Sequence, residues 1–259
     1  MVDAHVHIEQ GPYTREWINK FIDQAMLKGV TELYLLEHTH RFVEFKEYYE
    51  EIIKYNEYQS SWYNRRSGVS LQSYINLVQE YKSNENKHIS VKWGLEVCYL
   101  PGIEKAVEKL RKQNIFDFYT GSIHWIRGWG FDHKKEFWAD KNIDEVYTQY
   151  FDEEKQLLKS GVFDHLGHPD SIKCFDYYPS YKLDKTYDEI INEAKTSGIT
   201  FEQSCGLYNN YGHTTIGLES TYLKKLKENN IKLITASDAH CPEDVGKNIA
   251  KALTIMNNA

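Results

Sequence analysis

Cysteine and proline are scarce in this chain, with four and five residues among 259. Cys98, Cys174, Cys205 and Cys241 are scattered and form no C-x-x-C pair. That argues against a zinc-finger arrangement and reads as reduced core or near-site thiols of a cytoplasmic protein. No Pro-rich linker, internal repeat or low-complexity tract divides the chain, which is therefore read as one domain. No apolar run approaches the roughly 20 residues of a membrane span, and the Met1-Val2-Asp3 start lacks a secretion pattern. Surplus basic charge is missing too: 31 Lys and Arg stand against 38 Asp and Glu, a net −7. This balance excludes a general nucleic-acid or anionic-membrane surface. It leaves room for a small anionic substrate, because a buried metal cluster would dominate the local field.

What is present is a large apolar and aromatic inventory, 41% hydrophobic with 20 tyrosines, sufficient for a sizeable core. Strand-like runs fall at Val2–His7, Glu32–Glu37, Ile89–Val97, Phe116–Ile123, Phe163–Leu166, Thr200–Gln203 and Lys232–Ala236. Between them, 3.6-residue periodicity predicts helices at Arg15–Leu27, Ile103–Gln113, Asp144–Leu158 and Tyr187–Lys195. Gly29, Gly161 and Gly198 follow three of these as stop signals. Alternation over the whole length predicts an α/β fold with a parallel sheet, and about seven repeats favour a closed barrel over an open doubly wound sheet. The connection from about 43 to 86 is longer than the rest. It holds helical stretches at Phe45–Tyr55 and Leu71–Tyr81, separated by the polar, basic Ser60–Gly68. It reads as an insertion beside the barrel mouth.

The informative pattern is the placement of histidine. Of eleven, His5, His7, His38, His40, His124, His168 and His240 lie at or just after predicted strand ends, which in a parallel barrel form the catalytic face. His5 and His7 alternate on one strand, so both imidazoles face one side and can reach one ion. Asp238 and His240 repeat that logic on the last strand with one oxygen and one nitrogen donor. Either pair alone is compatible with partly buried polar side chains; two at opposite chain ends are not readily accidental. Glu96 interrupts the apolar run Trp93–Cys98, where a carboxylate is costly unless paired or coordinated. Its two oxygens suit a bridge between metals, with a buried Arg pair as the alternative. His124 and His168 each close a short strand and, beside the pairs, read as ligands. His88, His133 and His213 lack such context and read as surface or loop residues, and His165 as strand support.

The order HVH, EHTH, GLE, SIHW, GHPD and SDAH, nearly the length of the chain, resembles the polymerase-and-histidinol-phosphatase (PHP) superfamily of metallophosphoesterases. SIHWIRGWGFD and HLGHPDSIK resemble its histidinol-phosphatase branch, whereas Glu202–Leu207 departs from that branch's acidic, Asn-rich strand end. The resemblance implies a distorted seven-stranded (β/α) TIM-like barrel with two or three divalent ions, zinc, manganese or iron, at its mouth. Carried over by position, His5, His7, Glu96 and Asp238 surround the first ion. Glu96, His124 and His168 surround the second, and His38 and His240 the third. Where relatives place a His or Asp six residues after the HxH pair this chain has Tyr13, and Glu9 is the nearest candidate replacement.

Such a centre makes a nucleophile from water at neutral pH for attack on a phosphate monoester. Asp238 and His240 are placed to orient that water or carry a proton. Arg41 and Arg127, just beyond ligand motifs, are candidate phosphate clamps, with His40 as a further substrate-binding candidate. Trp125, Trp129 and Phe131 offer an apolar wall, and Glu202 or Asp132 a charge for an ammonium group. The expected substrate is L-histidinol phosphate. Another small phosphoester or nucleotide, or a metal-binding module without turnover, are the alternatives.

Overall fold

In the computed structural model, which describes residues 1–83 and 89–259, the predicted alternation is present throughout. The chain begins with β1 (Val2–His7), α1 (Arg15–Leu27) and β2 (Glu32–His38). The insertion follows as α2 (Glu50–Tyr55), α3 (Glu57–Arg66) and α4 (Leu71–Lys82), after a 3-10 stretch over Val43–Tyr49. Next come β3 (Ser90–Cys98), α5 (Glu104–Arg111), β4 (Phe118–Ser122) and a small hairpin, β5 (Trp125–Ile126) with β6 (Trp129–Gly130). The second half runs α6 (Ile143–Ser160), β7 (His165–Leu166), α7 (Asp184–Ser197), β8 (Thr200–Ser204), α8 (Gly206–Tyr211), α9 (Ser220–Glu228), β9 (Leu233–Ala236) and α10 (Ile249–Asn258). No helix among the described residues is long and apolar enough to cross a membrane. His88 lies outside the described residues.

Seven strands form one parallel sheet in the order β1-β2-β3-β4-β7-β8-β9. The open-sheet alternative fails because the two outer strands meet. Val6 bridges Ala239 in parallel, and the His7 N–H donates to the Ala239 carbonyl at 2.8 Å. The buried Asp3 carboxylate completes the closure, accepting the Ser237 and Gly246 N–H groups at 2.8 Å each. Within the ring Tyr34 of β2, Phe118 of β4 and His165 of β7 touch, with ring centroids 5.0–5.5 Å apart. Side chains from non-adjacent strands can meet only inside a closed barrel, so this cluster plugs its floor. The larger core lies between the strands' outer faces and the helices. Helices cover that face, which is why the strands read as apolar runs instead of strict alternation.

Gly161 and Gly198 end α6 and α7 at φ 68° and 70°, left-handed conformations that cost glycine least. The distortion is greatest at β7, reduced to two residues beside Asp164, whose carboxylate takes the Tyr119 N–H at 2.8 Å and a bidentate Arg111. One expectation is corrected: Ser60–Gly68 is not an irregular separator but lies largely in α3. This helix buries only Gln59 and Tyr63, so it has almost no apolar periodicity. Its cap was nonetheless readable, since the Asn56 side chain accepts the Gln59 N–H at 2.8 Å in the N-x-x-Q spacing of a capping box. The short helices α8, α9 and α10 also lay below the periodicity signal.

On α6, Glu154 is fully buried with neither carboxyl oxygen hydrogen-bonded. Burial first, then Asp170, push its pKa well above the usual carboxylate range, with Lys173 opposing. The folded chain therefore keeps this proton at pH values where the unfolded chain has released it. Stability associated with Glu154 is complete below the unfolded pKa and declines as pH rises toward the folded one. Glu154→Gln is neutral and nearly isosteric. We expect its melting temperature, relative to the parent, to rise from about pH 5 to about pH 8 by a few degrees; a pH-independent difference would contradict this account.

Candidate metal centre

Parallel strands bring their C-terminal ends to one face, and the barrel register sets the depth of each side chain there. His38 pairs with Glu96 across β2 and β3, and Glu96 with Thr120 across β3 and β4. Glu96 thus stands in the middle of the mouth, fully buried. Its Oε1 lies 3.0 Å from Nε2 of both His124 and His168. Its Oε2 lies 3.0 Å from Nε2 of His38 and 3.3 Å from Nε2 of His5 and of His7. One carboxylate therefore receives five imidazoles from across the barrel.

The Nε2 atoms of His5 and His7 face each other at 3.0 Å, and Oδ1 of Asp238 stands 3.8 and 3.7 Å from them. Donor atoms held about 2.0–2.1 Å from a tetrahedral ion lie about 3.3 Å apart, so this spacing fits a cation. Without one, two imidazole nitrogens confront each other with room for a single proton. Donors of His5, His7 and Asp238 lie within 4.8 Å of one another, as do those of His5, Glu96 and His168, of His38, Glu96 and His124, and of His7, His38 and His240. These overlapping triads describe a polynuclear donor set. His7 stacks with His240 at 4.3 Å and with His38 at 4.0 Å, and those two rings lie 5.9 Å from each other.

Three of the imidazoles are backed by carboxylates at Nδ1. Glu202 lies 2.9 Å from His5, Asp132 2.7 Å from His124 and Glu9 3.2 Å from His38. A carboxylate at Nδ1 fixes the ring and leaves Nε2 free to ligate. Glu9, expected as a ligand, stands beside Nδ1 of His38 on the side away from Glu96, and its carboxylate, His38 and His40 offer donor atoms within 4.8 Å of one another, a further group able to hold an ion. Glu202 is wholly buried behind His5 and also accepts the His168 N–H at 3.2 Å; it cannot present charge to a substrate. Asp132 lines the mouth, but its Oδ2 is engaged with His124.

Burial opposes charge throughout, yet His38, His5 and the hydrogen bonds of His124 and His168 hold Glu96 well below the usual carboxylate range. Against the same burial, Glu96 and Glu9 raise His38 to about 9. His40 moves the other way: burial, then His38, push it well below the usual value, so it is neutral. Both of its ring nitrogens lack a partner.

Above the cluster opens a cavity of about 770 Å³. His40, Trp125 and Asp132 line it as expected, and so do His133, Trp62, Arg65 and Arg66, which sequence reasoning missed. His133, expected at the surface, has a side chain only 5% exposed and stacks near Trp62 at 4.8 Å. His213 is a buried loop anchor whose Nδ1 accepts the Thr215 N–H at 3.1 Å. The two expected phosphate clamps do not reach the cavity. Arg41 turns inward, its Nε 3.1 Å from Glu37 and its Nη1 donating to the Glu9 carbonyl at 3.1 Å. Arg127 sits exposed at the β5–β6 turn with φ 49° and lines a separate depression beside Tyr55 and Asn142. Trp129 and Phe131 are core residues, packed on Trp138 and Tyr150.

Comparison with known proteins gives a consistent picture. The sequence model of the PHP domain matches residues 3–204. The "probable histidinol-phosphatase" of Deinococcus radiodurans is 28% identical over 206 residues, 76% of this chain and 74% of that protein. The histidinol-phosphatase of Bacillus subtilis is 23% identical over 268 residues, covering 94% and 95%. In three dimensions the chain resembles a histidinol phosphate phosphatase from Lactococcus lactis, crystallised with zinc, L-histidinol and phosphate. The TM-score is 0.73 at 18% identity, over 99% of this chain and 92% of that one; at this identity the likeness concerns the fold.

Asp238 occupies the left-handed region at φ 57°, which aspartate tolerates better than most residues. Asn210 holds it there, donating to its Oδ2 at 2.9 Å and its carbonyl at 3.1 Å. A Cβ on Gly206 would collide with Oδ2 of Asp238, so the glycine of the Glu202–Leu207 segment is a clearance for that carboxylate. Gly206→Ala should displace Asp238 while leaving the helical content intact. Metal analysis after dialysis should find less bound divalent ion than in the parent, and unchanged metal content would remove the clearance role.

Proposed function

The chain belongs to the PHP domain family, and from that premise we propose that it is a metal-dependent phosphatase hydrolysing L-histidinol phosphate to L-histidinol and phosphate. The observation that carries the reading is the convergence of five imidazoles on the two oxygens of one buried carboxylate, Glu96. The names of the relatives support the substrate. In the assignment proposed here His5, His7, Glu96 and Asp238 hold one ion, Glu96, His124 and His168 a second, and His38 with His240 a third. A donor set of imidazole and carboxylate suits zinc, manganese or iron.

Bound divalent ions would supply a hydroxide nucleophile near neutral pH and neutralise the phosphoryl oxygens. The chain's own residues do the rest. Asp238, locked by Asn210, presents its carboxylate at the mouth to orient the attacking water. His240 Nδ1 lies 3.0 Å from the Asp238 carbonyl oxygen, a hydrogen bond that leaves the lone pair of Nε2 to hold the third ion; only where that ion is not bound is the same nitrogen free to carry a proton for the leaving alkoxide. Neutral His40 offers an N–H or a lone pair to the bound ester without adding charge. Trp62, Trp125 and His133 form an aromatic wall against which a flat substrate body can stack.

Metal analysis of gently purified protein should give about two or three ions per chain, the stoichiometry of polynuclear hydrolases. Chelation should abolish turnover and added Zn or Mn restore it. Glu96→Gln should lose more than one ion, whereas His38→Ala should lose one; equal single losses would refute the bridge. The substrate is tested by the ratio of kcat/KM for L-histidinol phosphate against an aryl phosphate and against short DNA. A ratio near one for the two esters would remove the histidinol assignment, and absence of turnover on all three would leave a binding module.

A further inference from the structure

A phosphate dianion needs cationic hydrogen-bond donors besides the metals, and the expected ones, Arg41 and Arg127, face elsewhere. Among the described residues, the Lys and Arg side chains lining the cavity are Arg65 and Arg66. Both stand at the C-terminal end of α3 in the insertion. The same cavity carries the carboxylates of Glu9, Glu96, Asp132, Asp238 and Asp244, and these two guanidinium groups are the cations in it that lie outside the cluster of imidazoles.

Arg66 is the better placed. Its Nη1 lies 3.5 Å from Oε1 of Glu9, the carboxylate whose other oxygen stands behind His38. Its guanidinium carbon lies 5.8 Å from the Trp62 ring centroid. These are its contacts among the described residues, and the side chain is 51% exposed. Most of its donors are therefore unspent: the 3.5 Å pair joins one nitrogen of a half-exposed guanidinium to the buried Glu9 and leaves the rest of the fork open to a second anion. Arg41 differs in being consumed by Glu37 and Glu9.

The support beneath Arg66 is rigid. Gln59, fully buried on α3, donates to the carbonyls of Ile52 and Gly128 at 3.0 and 2.6 Å and accepts the Gly130 N–H at 2.9 Å. This amide staples the insertion to the β5–β6 hairpin that follows His124. Trp62, one turn before Arg66, packs edge-on against Trp125 at 5.4 Å. A planar fork held at the cavity edge next to His38 can take two phosphoryl oxygens while the third faces the metal centre.

We propose that Arg66 binds the substrate's phosphate group, making the insertion helix α3 part of the binding site. The inference rests on the phosphate-ester reading above, not on histidinol as the alcohol. The test uses the metal-loaded protein and inorganic phosphate as probe, by calorimetry and as a competitive inhibitor. Arg66→Ala should weaken phosphate binding roughly 10- to 100-fold, the loss of one or two charge-assisted hydrogen bonds. KM should rise by a similar factor for L-histidinol phosphate and for an aryl phosphate, since both carry the same group. Arg66→Lys, with charge but no fork, should fall between. Arg127→Ala should match the parent, and metal content should be unchanged in all three. Phosphate binding at parent strength in Arg66→Ala overturns the proposal. So does loss of a metal ion in place of phosphate affinity, because Arg66 would then serve only Glu9 and His38. If aryl phosphate is hydrolysed and histidinol phosphate is not, the substrate assignment falls while the phosphate readings still decide Arg66.

Discussion

A carboxylate at the centre of a barrel mouth, out of reach of water, is the constraint around which this protein is arranged. An isolated ionised carboxylate in such a place is costly, and it becomes tolerable only when donors or cations surround it. Glu96 has five imidazoles around it, contributed by four segments spread from β1 to the end of β7. No local structure can collect them. A ring of parallel strands can, because each strand end delivers one or two side chains to a shared point.

Around that centre the structure is organised in shells with distinct tasks. Glu202, Asp132 and Glu9 stand behind the rings and set which nitrogen faces inward. Asn210 and the bare Cα of Gly206 position Asp238. The insertion lies outermost: α4 packs into the core, but α3 buries only Gln59 and Tyr63, and it is α3 that supplies the aromatic and cationic edge of the cavity. A barrel conserves its strand ends through packing geometry, whereas a helix laid over the mouth can change the cavity's character without disturbing the ring.

Much of this was legible in the sequence, and the reasons for the rest are physical. All seven barrel strands appear where apolar runs stood, because burial on both faces writes a continuous signal. His5, His7, His38, Glu96, His124, His168, Asp238 and His240 come together because alternation along a strand and position at its end are local properties. Polar residues reaching the mouth from helices carry no such mark. Arg66 and Trp62 sit on a helix with hardly any apolar stripe, and His133 follows a hairpin whose fold depends on a distant glutamine. Adjacency to a motif misled for Arg41 and Arg127, since the turn after a strand end decides which way a side chain points. Glu9 was found by proximity to the HxH pair, and the fold does bring it to the cluster, beside His38 and His40.

The union of the first and last strands through Asp3 and Ser237, 234 positions apart, has a consequence for biogenesis. At ribosomal speeds of roughly 5–20 residues per second, on the order of ten seconds or more separates synthesis of the two partners. Throughout that interval β1 has no neighbour on one edge, and His5 and His7 lack the Asp238 carboxylate. A nascent chain halted between His168 and Ser237 carries all but one of the cluster's imidazoles but neither the seam that closes the ring nor the last two donors. Closure of the ring and completion of the centre are therefore the same event, because one segment, Ser237–His240, supplies both the seam and the last donors.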